Sequence, residues 1–126
     1  MGLYSLIVKP DILINDIKVK DYDAIVFIGG MGSGEYFDNP VAHKIAKQAL
    51  DQEKIIAAIC MAPTILANAG LLEGKKATCA QSYNIEIKGA IATGKDIERD
   101  GNIITATGPG AAKKFGEEIV SALSEK

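Results

Sequence analysis

The sequence predicts an α/β sandwich with a mostly parallel sheet, because apolar runs typical of buried strands alternate with amphipathic helices. Two runs, Ala24–Ile28 and Ile55–Ile59, are continuously apolar, as strands buried on both faces of a parallel sheet are. Between them, apolar residues recur at helical spacing from Val41 to Leu50. The 126 residues suit one domain, residues 1–126, which is small for a three-layer fold.

Local signals assign the elements up to the second apolar run. Residues 4–8 are apolar and precede Pro10, which favours a strand, whereas residues 12–19 favour a short turn or helix. Asn39 is placed as an N-cap and Pro40 as the first helical residue, so we expect a helix from Pro40 to near Glu53.

Turn residues divide the second half of the chain. Residues 63–69 predict a helix that Gly70 ends, residues 76–79 a short strand, and residues 90–97 are ambiguous. Asp100-Gly101 predicts a hairpin turn before a strand at 102–106. A last helix begins at 108–110, and its predicted apolar face consists of Phe115, Ile119, Val120 and Leu123.

Composition argues against several functional classes. A net charge of −2 and a pI of about 5.4 favour neither a nucleic-acid partner nor a membrane surface. We expect no membrane span and no signal peptide, and therefore a cytoplasmic location. The two cysteines, Cys60 and Cys79, fit a reduced compartment and do not require a disulfide. With one histidine in the chain, we expect neither a metal site nor a cofactor.

The junction at Cys60 carries the strongest functional signal. A predicted buried strand ends at this cysteine, and Met61-Ala62-Pro63 leads directly into a helix. This order is typical of a nucleophile elbow, which presents a side chain at the carboxyl edge of the sheet. The helix N-terminus is expected to favour a thiolate. The alternative is a small buried cysteine at a strand end.

Backbone amides near Cys60 predict an oxyanion hole. Gly29-Gly30 follows the first buried strand, and glycines allow close approach of a ligand to backbone N–H donors. The amides of Gly30 and Met61 would then bind a developing oxyanion, although a plain strand-to-loop turn explains the glycines equally well. The glycine-rich stretch 29–34 lacks the Lys-Ser/Thr of a phosphate-binding loop.

Two further polar residues are weaker candidates. His43 lies in the first turns of a predicted amphipathic helix, where a solvated role is favoured over a catalytic base. Glu35 follows the glycines and would reach the site or the site of a neighbouring subunit, but a plain surface carboxylate is the simpler interpretation.

Four segments, in order and at ordinary spacing, resemble the ThiJ/PfpI (DJ-one) superfamily. They are residues 21–30, 56–63, 69–78 and 100–109. The resemblance covers the chain from about Asp21 onward and implies a flavodoxin-like, glutamine-amidotransferase-like three-layer sandwich. It also implies that Cys60 is a nucleophile and redox-sensitive thiol, and that Gly30 and Met61 supply the oxyanion-hole amides.

The chain departs from this superfamily's pattern in three places. The superfamily usually begins with a strand-helix-strand unit that supplies a central strand and a glutamate bonded to the cysteine, and no residue here matches that unit. PfpI-type peptidases carry histidine after the cysteine, where this chain has Met61. Cys79 stands where some relatives carry a histidine; it is either a second thiol near the site or a plain strand-end residue.

A sheet without its leading unit would expose apolar faces and unpaired backbone groups. We therefore expect either an N-terminally truncated domain or compensation by a homodimer, a higher homo-oligomer or strand exchange.

The resemblance leaves three functions open. The first is a cysteine-dependent hydrolase or lyase acting on small carbonyl compounds or their protein adducts. The second is a non-catalytic oxidative-stress sensor or chaperone-like protein, and the third is an inactive truncated homologue.

Overall fold

Strands β2 (Ala24–Ile28) and β3 (Ile55–Ile59) lie inside a five-stranded sheet in the computed structural model, which describes residues 5–8, 20, 22–28, 40–80 and 85–125. β1 (Ser5–Val8) pairs with β2, and β7 (Ile103–Ala106) pairs with β3. β6 (Ile97–Asp100) completes the order β1-β2-β3-β7-β6. All pairs are parallel except β6–β7. The predicted mostly parallel α/β class is therefore confirmed.

Helices cover both faces of the sheet. On one face, α1 (Pro40–Asp51) and α2 (Pro63–Asn68) pack against Ile25, Phe27 and Ile56. On the other face, α3 (Ala112–Ser124) packs against side chains that alternate with these along the strands. Every residue of β3 is buried, as its continuous apolar sequence predicts.

Local signals set most element bounds correctly. β2 and β3 have the predicted bounds, and α1 begins at Pro40. Gly70, with φ of +81°, follows the end of α2, and Gly101, with φ of +62°, lies in the β6–β7 hairpin. Asn39 and the predicted turn or helix at 12–19 lie outside the described residues.

Three assignments need correction. The predicted strand 76–79 ends at Ala77, and part of the ambiguous segment 90–97 forms β5 (Ile91–Ala92) beside β4 (Lys76–Ala77) in a small parallel sheet. The last helix begins with a 3₁₀ turn, Pro109–Ala111, before α3. Val120, expected on the apolar face of this helix, is 56% exposed.

β1 occupies the edge of the sheet beside β2, in register from Ser5 opposite Ala24 to Val8 opposite Phe27. The edge of β2 that faces away from β3 is thus paired with β1 along four residues. Among residues with described burial, the large apolar side chains most exposed are Ile87, Ile91 and Val120, and all three lie outside the five-stranded sheet. The expected oligomer stays a prediction.

Candidate functional site around Cys60

Cys60 lies on a sharp turn at the carboxyl end of β3. Its φ is +64°, in the left-handed region that residues with a Cβ rarely adopt. Its N–H still donates to Ala106 O at 3.1 Å, so the ladder to β7 continues to the turn. Two residues later, Ala62 N–H donates to Ile59 O at 3.2 Å. The chain thus reverses at the cysteine and enters α2 within three residues.

The Cys60 side chain is partly exposed and packs at the edge of the core on the α3 face. Burial raises the pKa of this thiol above its ordinary value. This net shift is opposite to the direction expected from the helix N-terminus, whose own influence on the thiol stays a prediction. The cause of the raised pKa is desolvation of the Cys60 sulfur, which disfavours the charged thiolate.

Gly108 forms one wall of the site, because β7 ends beside β3. A Cβ placed on Gly108 would lie 3.7 Å from Cys60 Sγ, which is ordinary van der Waals contact. The φ of Gly108 is 172°, so the backbone is extended there and does not itself require glycine. The sequence placed this residue at the start of the last helix and in the segment 100–109, and gave it no role in the site.

Thr64 adds a second polar group that sequence reasoning did not single out. It is the second residue of α2, and its Oγ1 is buried with no hydrogen-bond partner among the residues that the structure describes. A buried hydroxyl without a partner costs free energy that a bound ligand or water recovers. Thr64, four residues after Cys60 in the chain, is therefore a candidate polar contact for a ligand.

A second chain segment, residues 78–80, lies against the elbow. Ala80 N–H donates to Cys60 O at 2.8 Å, and Thr78 N–H donates to Thr105 Oγ1 at 2.9 Å in the interior. Thr105 lies on β7, which pairs with β3. Both hydrogen bonds therefore hold segment 78–80 against the part of the sheet where β3 and β7 meet. Cys79, between them, is a partly buried thiol.

Thr105→Val is expected to destabilise the protein by about 1–3 kcal/mol, because it leaves the buried Thr78 N–H without an acceptor. The measurement is the free energy of unfolding in urea. Thr107→Val is the matched control, since among the described residues the Thr107 hydroxyl makes a single long contact of 3.5 Å, to Asp96 O. Equal losses for the two variants would show that the Thr78 anchor contributes nothing specific.

Of the other predicted site residues, the structure describes Met61 and His43 but not Gly30 or Glu35. Met61 is described directly after Cys60 and is partly buried. Gly30 and Glu35 lie outside the described residues, so the two-amide oxyanion hole stays a prediction. His43 lies in the first turn of α1 and is partly exposed. Together with Pro40 and Lys47 it lines a shallow groove whose described lining residues all belong to α1.

No group of three or more histidine, cysteine, aspartate or glutamate side chains in the described part of the chain is placed to hold a metal ion. Likewise, none of the helices within residues 40–80 and 85–125 is long and apolar enough to cross a membrane.

Curated relatives match nearly the whole chain. An uncharacterised protein of Methanocaldococcus jannaschii, MJ0967, is 41% identical over 99% of this chain and 63% of its own length. The deglycase TK1284 of Thermococcus kodakarensis is 31% identical over 97% of this chain and 75% of its own length. The glutathione-independent glyoxalase DJR-1.2 of Caenorhabditis elegans is 30% identical over 92% and 63%. The chain thus spans under two thirds of two of these three relatives.

A solved structure agrees with the fold described above. The ThiJ/PfpI domain protein from Brachyspira murdochii has a TM-score of 0.88 and 32% identity, covering 92% of this chain and 68% of that one. The sequence profile of the DJ-1/PfpI family matches residues 2–122. This match, the flavodoxin-like sheet and the cysteine at the end of β3 agree, and the chain belongs to the DJ-1/PfpI family.

Proposed function

We propose that this protein acts on small carbonyl compounds, or on their adducts with protein amines, with Cys60 as the nucleophile. The observation that carries the proposal is the left-handed backbone of Cys60 at the carboxyl end of the buried strand β3. Strained backbone of this kind persists when it serves a function, because the surrounding fold must compensate for its cost. The deglycase and glyoxalase relatives make carbonyl chemistry the first choice of reaction.

The first step is addition of the Cys60 sulfur to an aldehyde carbon. A carbon–sulfur bond forms, the carbonyl π bond breaks, and the thiol proton ends on the carbonyl oxygen. The raised pKa of Cys60 means that the resting group is a thiol, so its proton leaves as the bond forms. The amides of Gly30 and Met61 are the proposed donors to the developing oxyanion.

A small, planar substrate suits the surroundings of Cys60. The sulfur is in reach of Gly108 on one side, and segment 78–80 covers the backbone of the elbow on another. Because Gly108 has no side chain, a small aldehyde can approach the Cys60 sulfur from this side. Met61 in place of histidine disfavours peptidase chemistry and leaves glyoxal-type aldehydes as the favoured substrates.

The test is formation of a 2-hydroxy acid from methylglyoxal, with release of a free amine from methylglyoxal-treated lysine as a second substrate. We expect the purified chain to form the hydroxy acid above the rate in buffer. The matched control is the same protein with its thiols alkylated. Rates equal to those of the alkylated protein on both substrates would overturn the proposal.

An oxidant sensor is the second candidate, favoured by one observation. Cys60 is a partly exposed free thiol, so a small oxidant can reach its sulfur. Oxidation of Cys60 by peroxide in a protein that turns over neither carbonyl substrate would support this function instead.

A further inference from the structure

The two cysteines of the chain are held next to each other by backbone contacts. Ala80 N–H donates to Cys60 O at 2.8 Å, and Cys79 immediately precedes Ala80. On the other side of Cys79, the Thr78 N–H is fixed to the side chain of Thr105 at 2.9 Å. Segment 78–80 therefore keeps its position relative to the elbow while the fold is intact.

This arrangement limits the distance between the two α-carbons. One hydrogen bond and standard backbone dimensions keep the Cα atoms of Cys60 and Cys79 within roughly 7.5 Å of each other. Disulfide-bonded cysteines have Cα atoms about 4.4–6.8 Å apart. The backbone is thus at, or within a small shift of, the separation that a disulfide needs.

The side chains are not yet joined. Both residues are thiols, and Cys79 Sγ donates to Ala80 O at 3.4 Å. Cys60 packs at the core on the α3 face, whereas Cys79 packs at the core on the α1 and α2 face. Because rotation about the Cα–Cβ bond moves only the sulfur, bond formation requires side-chain rotation together with a backbone shift that brings the two Cβ atoms to about 4 Å apart. Both side chains are partly exposed, which leaves them access to a small oxidant.

We propose that Cys60 and Cys79 are an oxidant-responsive pair that closes to an intramolecular disulfide when the protein meets a peroxide. First, the Cys60 sulfur attacks one peroxide oxygen; the O–O bond breaks, an alcohol or water leaves, and Cys60 becomes a sulfenic acid. Next, the Cys79 sulfur attacks the Cys60 sulfur; the S–S bond forms, the S–O bond breaks, and the hydroxyl leaves as water with the Cys79 proton.

Closure has two consequences for the elbow. The Cys60 sulfur is no longer a nucleophile, so carbonyl chemistry stops while the disulfide persists. The sulfenic acid is also removed before a second peroxide converts it irreversibly to sulfinic acid. A small thiol reductant restores both thiols. The pair needs the Cys60 thiol but no carbonyl turnover, so this proposal and the proposed function fail separately.

The experiment exposes the reduced chain to hydrogen peroxide, blocks remaining thiols with iodoacetamide, and maps the peptides by mass spectrometry. We expect loss of both alkylatable thiols in the monomer, a peptide containing the Cys60–Cys79 bond, and full recovery after dithiothreitol. In Cys79→Ser we expect Cys60 to proceed to sulfinic acid at a peroxide dose that wild type survives.

Two results would overturn the pair. One is a wild-type protein in which Cys60 reaches sulfinic acid as fast as in Cys79→Ser. The other is a disulfide that links two chains rather than two positions of one chain, seen as a dimer on non-reducing gels. Cys79→Ala, with the urea unfolding midpoint of each protein, separates loss of the thiol from loss of the fold.

Discussion

Cys60→Ala is expected to lower the conversion of methylglyoxal at least about a hundredfold, to the rate in buffer, because it removes the atom that bonds to the substrate. Cys60→Ser is expected to be nearly as inactive, since an alcohol without a base is a far weaker nucleophile than a thiol. Initial rates of hydroxy-acid formation at a saturating aldehyde concentration provide the measurement.

The control for folding comes from the backbone at the same position. Cys60 has φ of +64°, and a residue with a Cβ in this region costs about 1–2 kcal/mol. Cys60→Gly is therefore expected to raise the free energy of unfolding by roughly 1 kcal/mol while it abolishes turnover. Inactivity in a more stable variant cannot come from unfolding.

The second cysteine supplies the matched control for thiol chemistry. Cys79→Ser keeps the size of the side chain, and Cys79 has no proposed role in the addition step, so turnover is expected to stay near wild type. Turnover in Cys60→Ala that matches wild type would remove Cys60 as the nucleophile. A loss in Cys79→Ser alone would move the chemistry to residue 79.

The central strands could be predicted from the sequence because their environment is uniform. β2 and β3 are buried on both faces, so every position is apolar and the bounds are set where this run stops. Asp100-Gly101 and Gly70 marked turns that need positive φ, which local sequence determines. These features depend on neighbours along the chain.

The parts that differed from prediction depend on contacts between distant residues. The predicted strand 76–79 stops at Ala77 because the Thr78 N–H bonds to a side chain 27 residues away rather than to a strand. The pKa of Cys60 is raised by burial of the sulfur, which depends on tertiary packing that no local motif encodes. The contact of Gly108 with Cys60 likewise arises only when β7 pairs with β3.

Because Gly108 lies beside Cys60, larger side chains at position 108 are expected to block access to the sulfur progressively. Gly108→Ala is expected to change little, because its methyl group would touch the sulfur at an ordinary 3.7 Å and the extended backbone accepts it. Gly108→Leu is expected to slow alkylation of Cys60 by iodoacetamide about tenfold or more, since its branch would cover the sulfur. Quantified peptide alkylation at fixed pH provides the rate.

Gly110→Leu is the matched control, because a Cβ there meets no atom within 4 Å and the added bulk is the same. Cys79 serves as an internal reference, since its alkylation should not depend on residue 108. Equal rates for the Gly108 and Gly110 variants would show that the sulfur is reached from another side. If Gly108→Leu slows alkylation and methylglyoxal turnover in parallel, substrate and reagent share the β7 side of the elbow. Slowed alkylation with full turnover would instead place the aldehyde on the β2 side of the elbow, where the Gly30 amide is expected.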